Sequence, residues 1–165
     1  MEKPVLKVLL LSKDAILPSK KPGDSGYDIY TTQQDDVVLL QGEKFNFATG
    51  LKTEVPNEWG IILREKGGMG NKNIGLRAGV VDASYRGEMV VIMTNEDPKP
   101  VVFTRNPEKY EALKATGKAT IVDLAKAITQ AMIVYTPDCE VLQLSDDSDL
   151  TSTERGEGKF GSTGK

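Results

Sequence analysis

A succession of short β-rich runs, each ended by turn-forming residues, most constrains the fold of this chain. Most of the runs are rich in β-branched or aromatic residues and lie next to turn-forming residues such as glycine, proline, asparagine or aspartate. Many short strands with such punctuation are typical of a sandwich, a barrel or a jelly roll. The runs are VLKVLLL (5–11), YDIYTT (27–32), VVLL (37–40), KFNFATGL (44–51), WGIIL (59–63), GVVDASYRGEMVVIMTN (79–95, a strand, a turn and a strand), AITQAMIVYT (127–136) and CEVLQL (139–144).

Two segments depart from this pattern. Residues 106–117, NPEKYEALKATG, have Asn before Pro, acidic residues early and a terminal glycine, which are signals for the start and end of a helix. Residues 145–165 are polar and lack an apolar face, which is typical of a flexible terminus. The sequence therefore predicts an all-β domain over 1–144, with a short helical insertion inside 95–125, followed by a C-terminal arm.

The absence of histidine excludes several classes of site. With no histidine and one cysteine, Cys139, the chain cannot build a Ser-His-Asp or Cys-His centre, a usual zinc site or an intramolecular disulfide. Catalysis would use carboxylates, lysine, tyrosine or a metal held by oxygen.

Charge and hydropathy bear on partners and location. The net charge of −3 gives no general attraction to nucleic acid, and no apolar run approaches membrane-spanning length. We therefore expect no nucleic-acid or membrane partner. The lack of a signal-peptide pattern and the single cysteine favour a cytoplasmic location, or the host cytoplasm if the chain is viral.

Two glycine-rich stretches could surround a phosphate. EKGGMGNK (65–72) could supply backbone N–H groups and the charge of Lys66 and Lys72, but it lacks the P-loop pattern, and such stretches are more often flexible bends between strands. In the C-terminal arm, Arg155 and Phe160 lie among glycines and are followed by two hydroxyl residues. An arginine, an aromatic face and hydroxyls could close over a base and its phosphates.

Two further stretches carry carboxylates. In GVVDASYRGE, Asp82 ends an apolar strand and could lie at the rim of a pocket, where Tyr85 could offer its ring to a sugar or base. A hairpin with a solvated turn explains the same residues. In DSGYDIY (24–30), Gly26 allows a tight turn and Asp28 could face a cation, although a loop entering a strand has the same composition.

Taken in order, five stretches resemble the five motifs of the trimeric dUTPase family: DSGYDIY, REKGGMGNK, AGVVDASYRGE, AITQAMI and RGEGKFGSTG. The resemblance spans almost the whole chain. The third and fifth motifs are nearly complete, with Lys159 where the family usually has glycine. The resemblance implies a distorted all-β jelly roll, a homotrimer with active sites shared between subunits, and cleavage of dUTP to dUMP and pyrophosphate with Mg²⁺.

The resemblance also implies a role for each matching residue. Asp82 would orient and activate the attacking water, and Asp28 would hold Mg²⁺ through water. The residues implied in substrate binding are Lys66, Gly67, Gly68 and Gln130 on the phosphates, Gly79, Val80, Val81, Tyr85 and Val90 on the nucleoside, and Arg155, Phe160, Gly161, Ser162 and Thr163 in an arm that closes over the nucleotide from a neighbouring subunit.

Three departures from the family pattern matter. Residues 66–68, or in another alignment 64–66, stand where the family has Arg-Ser-Gly or Arg-Ser-Ser, so the serine hydroxyl is missing. A backbone N–H of a glycine could substitute for it. In the fourth motif, Lys126 and Ala127 replace an acid and a base, so Ala127 cannot form a salt bridge to the first-motif aspartate. The segment 95–125 is longer than usual, and could be neutral or bind a protein partner.

These departures leave two alternatives to an active dUTPase. The first is a dUTPase-fold nucleotide-binding or regulatory protein with little turnover. The second is a dCTP deaminase, which shares the fold, although the third motif here has the dUTPase form.

Overall fold

The protein is described by a computed structural model that covers residues 3–154 and residue 156. Twelve strands form within these residues. They are β1 (Lys7–Leu10), β2 (Tyr27–Ile29), β3 (Val37–Leu39), β4 (Lys44–Ala48), β5 (Leu51–Glu54), β6 (Trp59–Glu65), β7 (Ile74–Arg77), β8 (Val80–Val81), β9 (Val90–Asn95), β10 (Val101–Thr104), β11 (Thr120–Asp123) and β12 (Thr129–Tyr135). Two short α-helices, α1 (Gly67–Gly70) and α2 (Glu111–Ala115), and 3-10 turns at Pro107–Tyr110 and Asp147–Asp149 complete the regular structure of this part of the chain.

The strands form four small sheets around one core. Their orders are β2-β12-β6-β8, β4-β9-β7, β11-β10-β3 and β1-β5. Every strand pair is antiparallel except β10 with β11. Short antiparallel strands that change sheets frequently are the pattern of a jelly-roll-like fold, so the predicted all-β class is confirmed.

The core is built from apolar side chains that alternate along the strands. Phe47 of β4 and Phe103 of β10 are fully buried, and their ring centroids lie 4.8 Å apart. Ile61 and Leu63 of β6 are also buried, while Ile62 between them is only half-buried. Period-two burial of this kind fixes the register of β6 and therefore of both strands that pair with it.

The helical segment predicted over 106–117 is confirmed. It runs through Pro107–Tyr110 and α2 and connects β10 to β11, which pair in parallel. Parallel neighbours require a crossover connection, and the helix supplies it. All four residues of β10 are buried, whereas no residue of Pro107–Tyr110 or of α2 is buried, so the helical connection lies at the periphery and β10 does not.

Hydrogen bonds to Asp36, which lies just before β3, hold the helical connection in place. The Lys109 ammonium and the Tyr110 hydroxyl both donate to Asp36 Oδ2 at 2.7 Å. Hydrogen bonds from Lys109, Thr104 and Tyr110 hold the pKa of Asp36 well below its usual range. Arg105 Nε donates to the Gln33 carbonyl at 2.8 Å. The helical connection is therefore attached to the segment before β3 by charged as well as neutral contacts.

The strand predicted over 139–144 is wrong. Within the described residues, this segment pairs with no strand, and Val141 and Leu142 are 94% and 74% exposed. β-branched and apolar residues form a strand only where a sheet edge accepts their backbone groups, and no strand of the described residues pairs with this segment. None of the helices in the described residues has the length and apolar character needed to cross a membrane.

Candidate active site

The first and fourth motifs lie side by side in the four-stranded sheet. Asp28 of β2 is the register partner of Gln130 on β12, and Gln130 in turn is opposite Arg64 of β6. The Gln130 amide Nε2 donates to the Glu65 carbonyl at 3.0 Å. This hydrogen bond fixes the glutamine side chain over the end of β6, where the second motif begins.

The packing of the Gln130 side chain explains why position 26 is a glycine. A Cβ at position 26 would lie 2.8 Å from Gln130 Oε1, which a folded chain does not tolerate without displacement. The φ angle of Gly26 is not in the left-handed region, whereas that of Gly23 is +92°. Gly26 lies in a bend before β2, and the structure gives a second reason for glycine there, the close approach of the fourth-motif glutamine.

Asp28 has a cationic partner that the sequence did not reveal. The Lys66 ammonium forms an ion pair with Asp28 Oδ1, and both side chains are roughly one-third exposed. Lys126 instead lies 3.9 Å from Asp123. Lys66 thus supplies a positive charge beside the first-motif carboxylate, which Ala127 cannot do. Asp28 Oδ2 has no hydrogen-bond partner among residues 3–154.

The glycines of the second motif form the helical turn α1. The Lys66 carbonyl accepts the N–H groups of Met69 at 2.8 Å and Gly70 at 3.1 Å. Within the described part of the chain, the N–H groups of Gly67 and Gly68 have no hydrogen-bond partner, as expected for the first turn of a helix. A Cβ at either position would meet nothing within 4 Å, and neither φ is positive. The fold itself therefore does not require these glycines.

The third motif begins where β8 crosses β6 closely. The Leu63 N–H donates to the Gly79 carbonyl at 2.6 Å, and a Cβ at Gly79 would lie 2.6 Å from the Leu63 carbonyl oxygen. Only glycine fits at this contact. Val80 and Val81 then pair with β6, and the chain turns at Asp82, whose carbonyl accepts the Tyr85 N–H at 3.1 Å. The Asp82 side chain is exposed at this turn.

Tyr85 is held by its own loop. Its hydroxyl donates to the Glu88 carbonyl at 3.1 Å, and its ring covers the α-carbon of Gly87, where a Cβ would clash with it. On the strands that flank this loop, Val80 of β8 is 69% exposed and Val90 of β9 is 36% exposed. The third motif thus leaves apolar surface open beside a carboxylate, which suits contact with a nucleoside or with another subunit.

The strand register separates the two carboxylates within one chain. Val81 pairs with Ile61, so Asp82 lies beside the start of β6, whereas Asp28 is aligned through Gln130 with Arg64 near its end. With a rise of about 3.3 Å per residue and strands about 4.8 Å apart, the two α-carbons are about 20 Å from each other. One chain alone therefore does not bring Asp82 to Asp28.

The donor set at Asp28 fits Mg²⁺. No cluster of three or more His, Cys, Asp or Glu residues within residues 3–154 could enclose a metal ion. Mg²⁺ is commonly held by one or two carboxylates together with water and substrate phosphates, so one carboxylate with a free oxygen is sufficient. The predicted closing residues, Arg155 and 160–163, lie outside the described residues.

Comparison with known proteins shows which family the sequence is similar to. The model of the dUTPase family matches residues 13–106. The chain is 33% identical to a deoxyuridine 5'-triphosphate nucleotidohydrolase of Thermobifida fusca, over 96% of this chain and 78% of that protein. It is 29% identical to the Nautilia profundicola protein of the same name, over 97% and 99% of the two chains.

Solved structures show the same fold. The dUTPase of Staphylococcus bacteriophage 80alpha in complex with dUpNHpp is similar, with a TM-score of 0.72 and 25% identity. The alignment covers 97% of this chain and 98% of that one. The matched family model, the relatives along the full length and the shared fold lead to one conclusion: this chain belongs to the dUTPase family.

Proposed function

We propose that the protein hydrolyses dUTP to dUMP and pyrophosphate with Mg²⁺. The observation that carries this proposal is the convergence of Asp28, Gln130 and the free N–H groups of Gly67 and Gly68 at one end of one sheet. A carboxylate for a hard cation next to donors for phosphate oxygens is what a nucleoside triphosphate needs. Curated relatives carry the corresponding name, deoxyuridine 5'-triphosphate nucleotidohydrolase.

In the proposed reaction, Asp82 accepts a proton from a water molecule that attacks the α-phosphorus. The bond between the α-phosphorus and the bridging oxygen to the β-phosphorus breaks, and pyrophosphate leaves with that oxygen. The N–H groups of Gly67 and Gly68 donate to phosphate oxygens, at the position where the second motif of the family has a serine hydroxyl. Mg²⁺, held through Asp28, would neutralise charge on the phosphate chain.

The site is proposed to be shared in a homotrimer. A general base has to reach the attacking water by hydrogen bond, yet Asp82 lies about 20 Å from Asp28 in the same chain. Asp82 of one subunit therefore joins Asp28 of another. Exposed Val80 and Val90, on the strands that flank the Asp82 turn, are surfaces that such an assembly would cover. So is the segment 139–144, which pairs with no strand of the described residues.

The nucleoside half of the site is proposed to come from 79–90. Tyr85 would pack under the deoxyribose, and the backbone of Gly79, Val80, Val81 and Val90 would read the uracil edge. Hydrogen bonding between Tyr85 and Glu88 holds the ring in one position, so little side-chain entropy is lost on binding. Closure by Arg155 and 160–163 stays a prediction.

The direct test is incubation of the full chain with dUTP and MgCl₂, with detection of both dUMP and pyrophosphate. The matched control is Asp82→Asn, which keeps the size of the side chain and removes the base. We expect the wild type to release dUMP and pyrophosphate rapidly. The rate should be about 10²-fold or more lower in the variant, because general-base catalysis contributes a factor of ~10²–10⁴ to the rate. Equal rates in both proteins would contradict the role of Asp82.

Two other results would identify the alternatives. Tight binding of dUTP by the wild type without pyrophosphate release would indicate a binding or regulatory protein. Ammonia release from dCTP would indicate a deaminase. Either result would overturn the proposed hydrolysis.

A further inference from the structure

A lysine-lined cleft extends from the proposed phosphate site to the helical connection. Its volume is about 920 Å³, and it lies between α1 on one side and α2 with β11 on the other. Asp28 and Gly68 line one end of it. The basic residues that line it are Lys66, Lys72, Lys114 and Lys126.

Two of these lysines are not neutralised by carboxylates. Lys66 is paired with Asp28, and Lys126 lies 3.9 Å from Asp123. Among residues 3–154, Lys72 and Lys114 have no salt-bridge partner. The cleft therefore carries an excess of positive charge in a protein whose net charge is −3.

Lys72 has two other cations, Lys114 and Lys126, as neighbours. Its ammonium donates to the Ile121 carbonyl of β11 at 3.3 Å, which leaves two of its three protons free. Partial burial, and then the positive charges of Lys114 and Lys126, lower the pKa of Lys72. Cations this close repel one another, and an anion placed between them relieves that repulsion.

Lys114 lies on a helix whose preceding turn is held by hydrogen bonds. It belongs to α2, and the turn before α2 is attached to the barrel by the hydrogen bonds of Lys109 and Tyr110 to Asp36. The lysine side chain itself makes no hydrogen bond within the described residues, so it is available to a ligand. The cleft opens directly onto Asp28 and Gly68, so that a phosphate chain bound there continues into it.

We propose that this cleft binds the terminal phosphates of bound dUTP, with Lys72 and Lys114 as substrate-binding residues. The inference rests on the proposed function and gives the inserted segment a role in the reaction. The same contacts stabilise the pyrophosphate as it separates from the α-phosphorus, because its negative charge increases at that step. The occupant is a di- or triphosphate end and not the nucleoside, since the cleft is basic and is lined by no aromatic residue other than Tyr30 among the described residues.

The test compares Lys114→Gln and Lys72→Gln with Lys118→Gln. Lys118 is an exposed lysine just after α2 that does not line the cleft. Calorimetric titration with α,β-imido-dUTP plus Mg²⁺ and with dUMP reports binding with and without terminal phosphates. We expect a loss of roughly tenfold in affinity for the analogue in each cleft variant, typical of one hydrogen bond between charged groups. Affinity for dUMP should not change, and Lys114→Arg should retain most of the analogue affinity.

The outcomes separate this inference from the proposed function. If the wild type releases pyrophosphate but Lys114→Gln and Lys118→Gln bind the analogue equally well, the inference fails and the function stands. Equal losses for the analogue and for dUMP would also overturn it, because they would indicate a general structural effect. If the cleft variants bind free pyrophosphate more weakly than the wild type but bind the analogue equally well, the cleft holds a separate anion site and the substrate role is refuted. If the wild type neither binds nor hydrolyses dUTP, both proposals fail.

Discussion

Replacing Gly68 with alanine is expected to stabilise the protein while impairing catalysis. Gly68 lies in the helical turn α1 with an ordinary φ, and a Cβ there would meet nothing within 4 Å. Glycine in a helix costs roughly 0.5–1 kcal/mol relative to alanine, so the substitution should raise the free energy of unfolding by about that amount. For a chain of this length that corresponds to an increase in Tm of about 1–4 °C.

Catalysis should respond in the opposite direction. Gly68 lines the cleft at Asp28, and its N–H is proposed to reach a phosphate oxygen. The added methyl group would keep the phosphate away from this donor, and loss of one such donor costs ~10²–10³ in rate. Because alanine retains the N–H, we expect a fall of about 10²-fold in kcat/KM.

Gly70 provides a matched control for this experiment. It ends the same turn, a Cβ there also meets nothing within 4 Å, and it does not line the cleft. Gly70→Ala should therefore gain similar stability without losing activity. Thermal unfolding and initial rates of pyrophosphate release, measured on both variants, test the reasoning. If Gly68→Ala and Gly70→Ala have kcat/KM values within about twofold, the proposed phosphate contact of α1 is refuted.

Three further predictions follow from other contacts. Gly79→Ala should lower the free energy of unfolding by about 1–3 kcal/mol, measured by denaturant titration, because its Cβ would lie 2.6 Å from the Leu63 carbonyl oxygen. Lys66→Met should reduce the Mg²⁺ concentration needed for half-maximal rate by up to about fivefold, because it frees Asp28 of a competing cation. It should also raise KM for dUTP, because it removes a positive charge near the phosphates. An unchanged Mg²⁺ requirement would contradict this reasoning. Hydrogen bonds lower the pKa of Asp36 in the folded protein, so ionised Asp36 stabilises the fold at pH values above its unfolded pKa, which is near 4. This stabilisation is lost as the pH falls below that value. The difference in unfolding free energy between the wild type and Asp36→Asn should therefore be largest at pH 7 and shrink toward pH 2.

The local parts of the fold could be predicted from sequence. The helix over 106–117 has its start and stop signals within the segment, and most strands carry β-branched residues between turns. Strands β7, β10 and β11 were missed because each has only four residues and depends for its pairing on a partner outside the segment. The same limitation explains the wrong strand at 139–144, since propensity does not report whether a sheet edge is free.

The contacts within the site were less accessible to sequence reasoning. Lys66 and Asp28 are 38 positions apart, so no local charge pattern could identify Lys66 as the cation beside the aspartate. Gly26 was assigned to a turn because the close approach of Gln130 arises only from the pairing of β2 with β12. The motif order located the relevant residues, and the sheet register determined which of them meet.

The placement of Asp82 and Asp28 at opposite ends of one sheet has a genetic consequence. If each active site takes Asp82 from one subunit and Asp28 from another, a chain that lacks Asp82 and a chain that lacks Asp28 carry defects in different halves of the site. Random mixing of the two inactive proteins would rebuild both halves in roughly a quarter of the sites. Two null alleles of this gene could therefore complement each other within a single cell, whereas two alleles damaged in the same half could not.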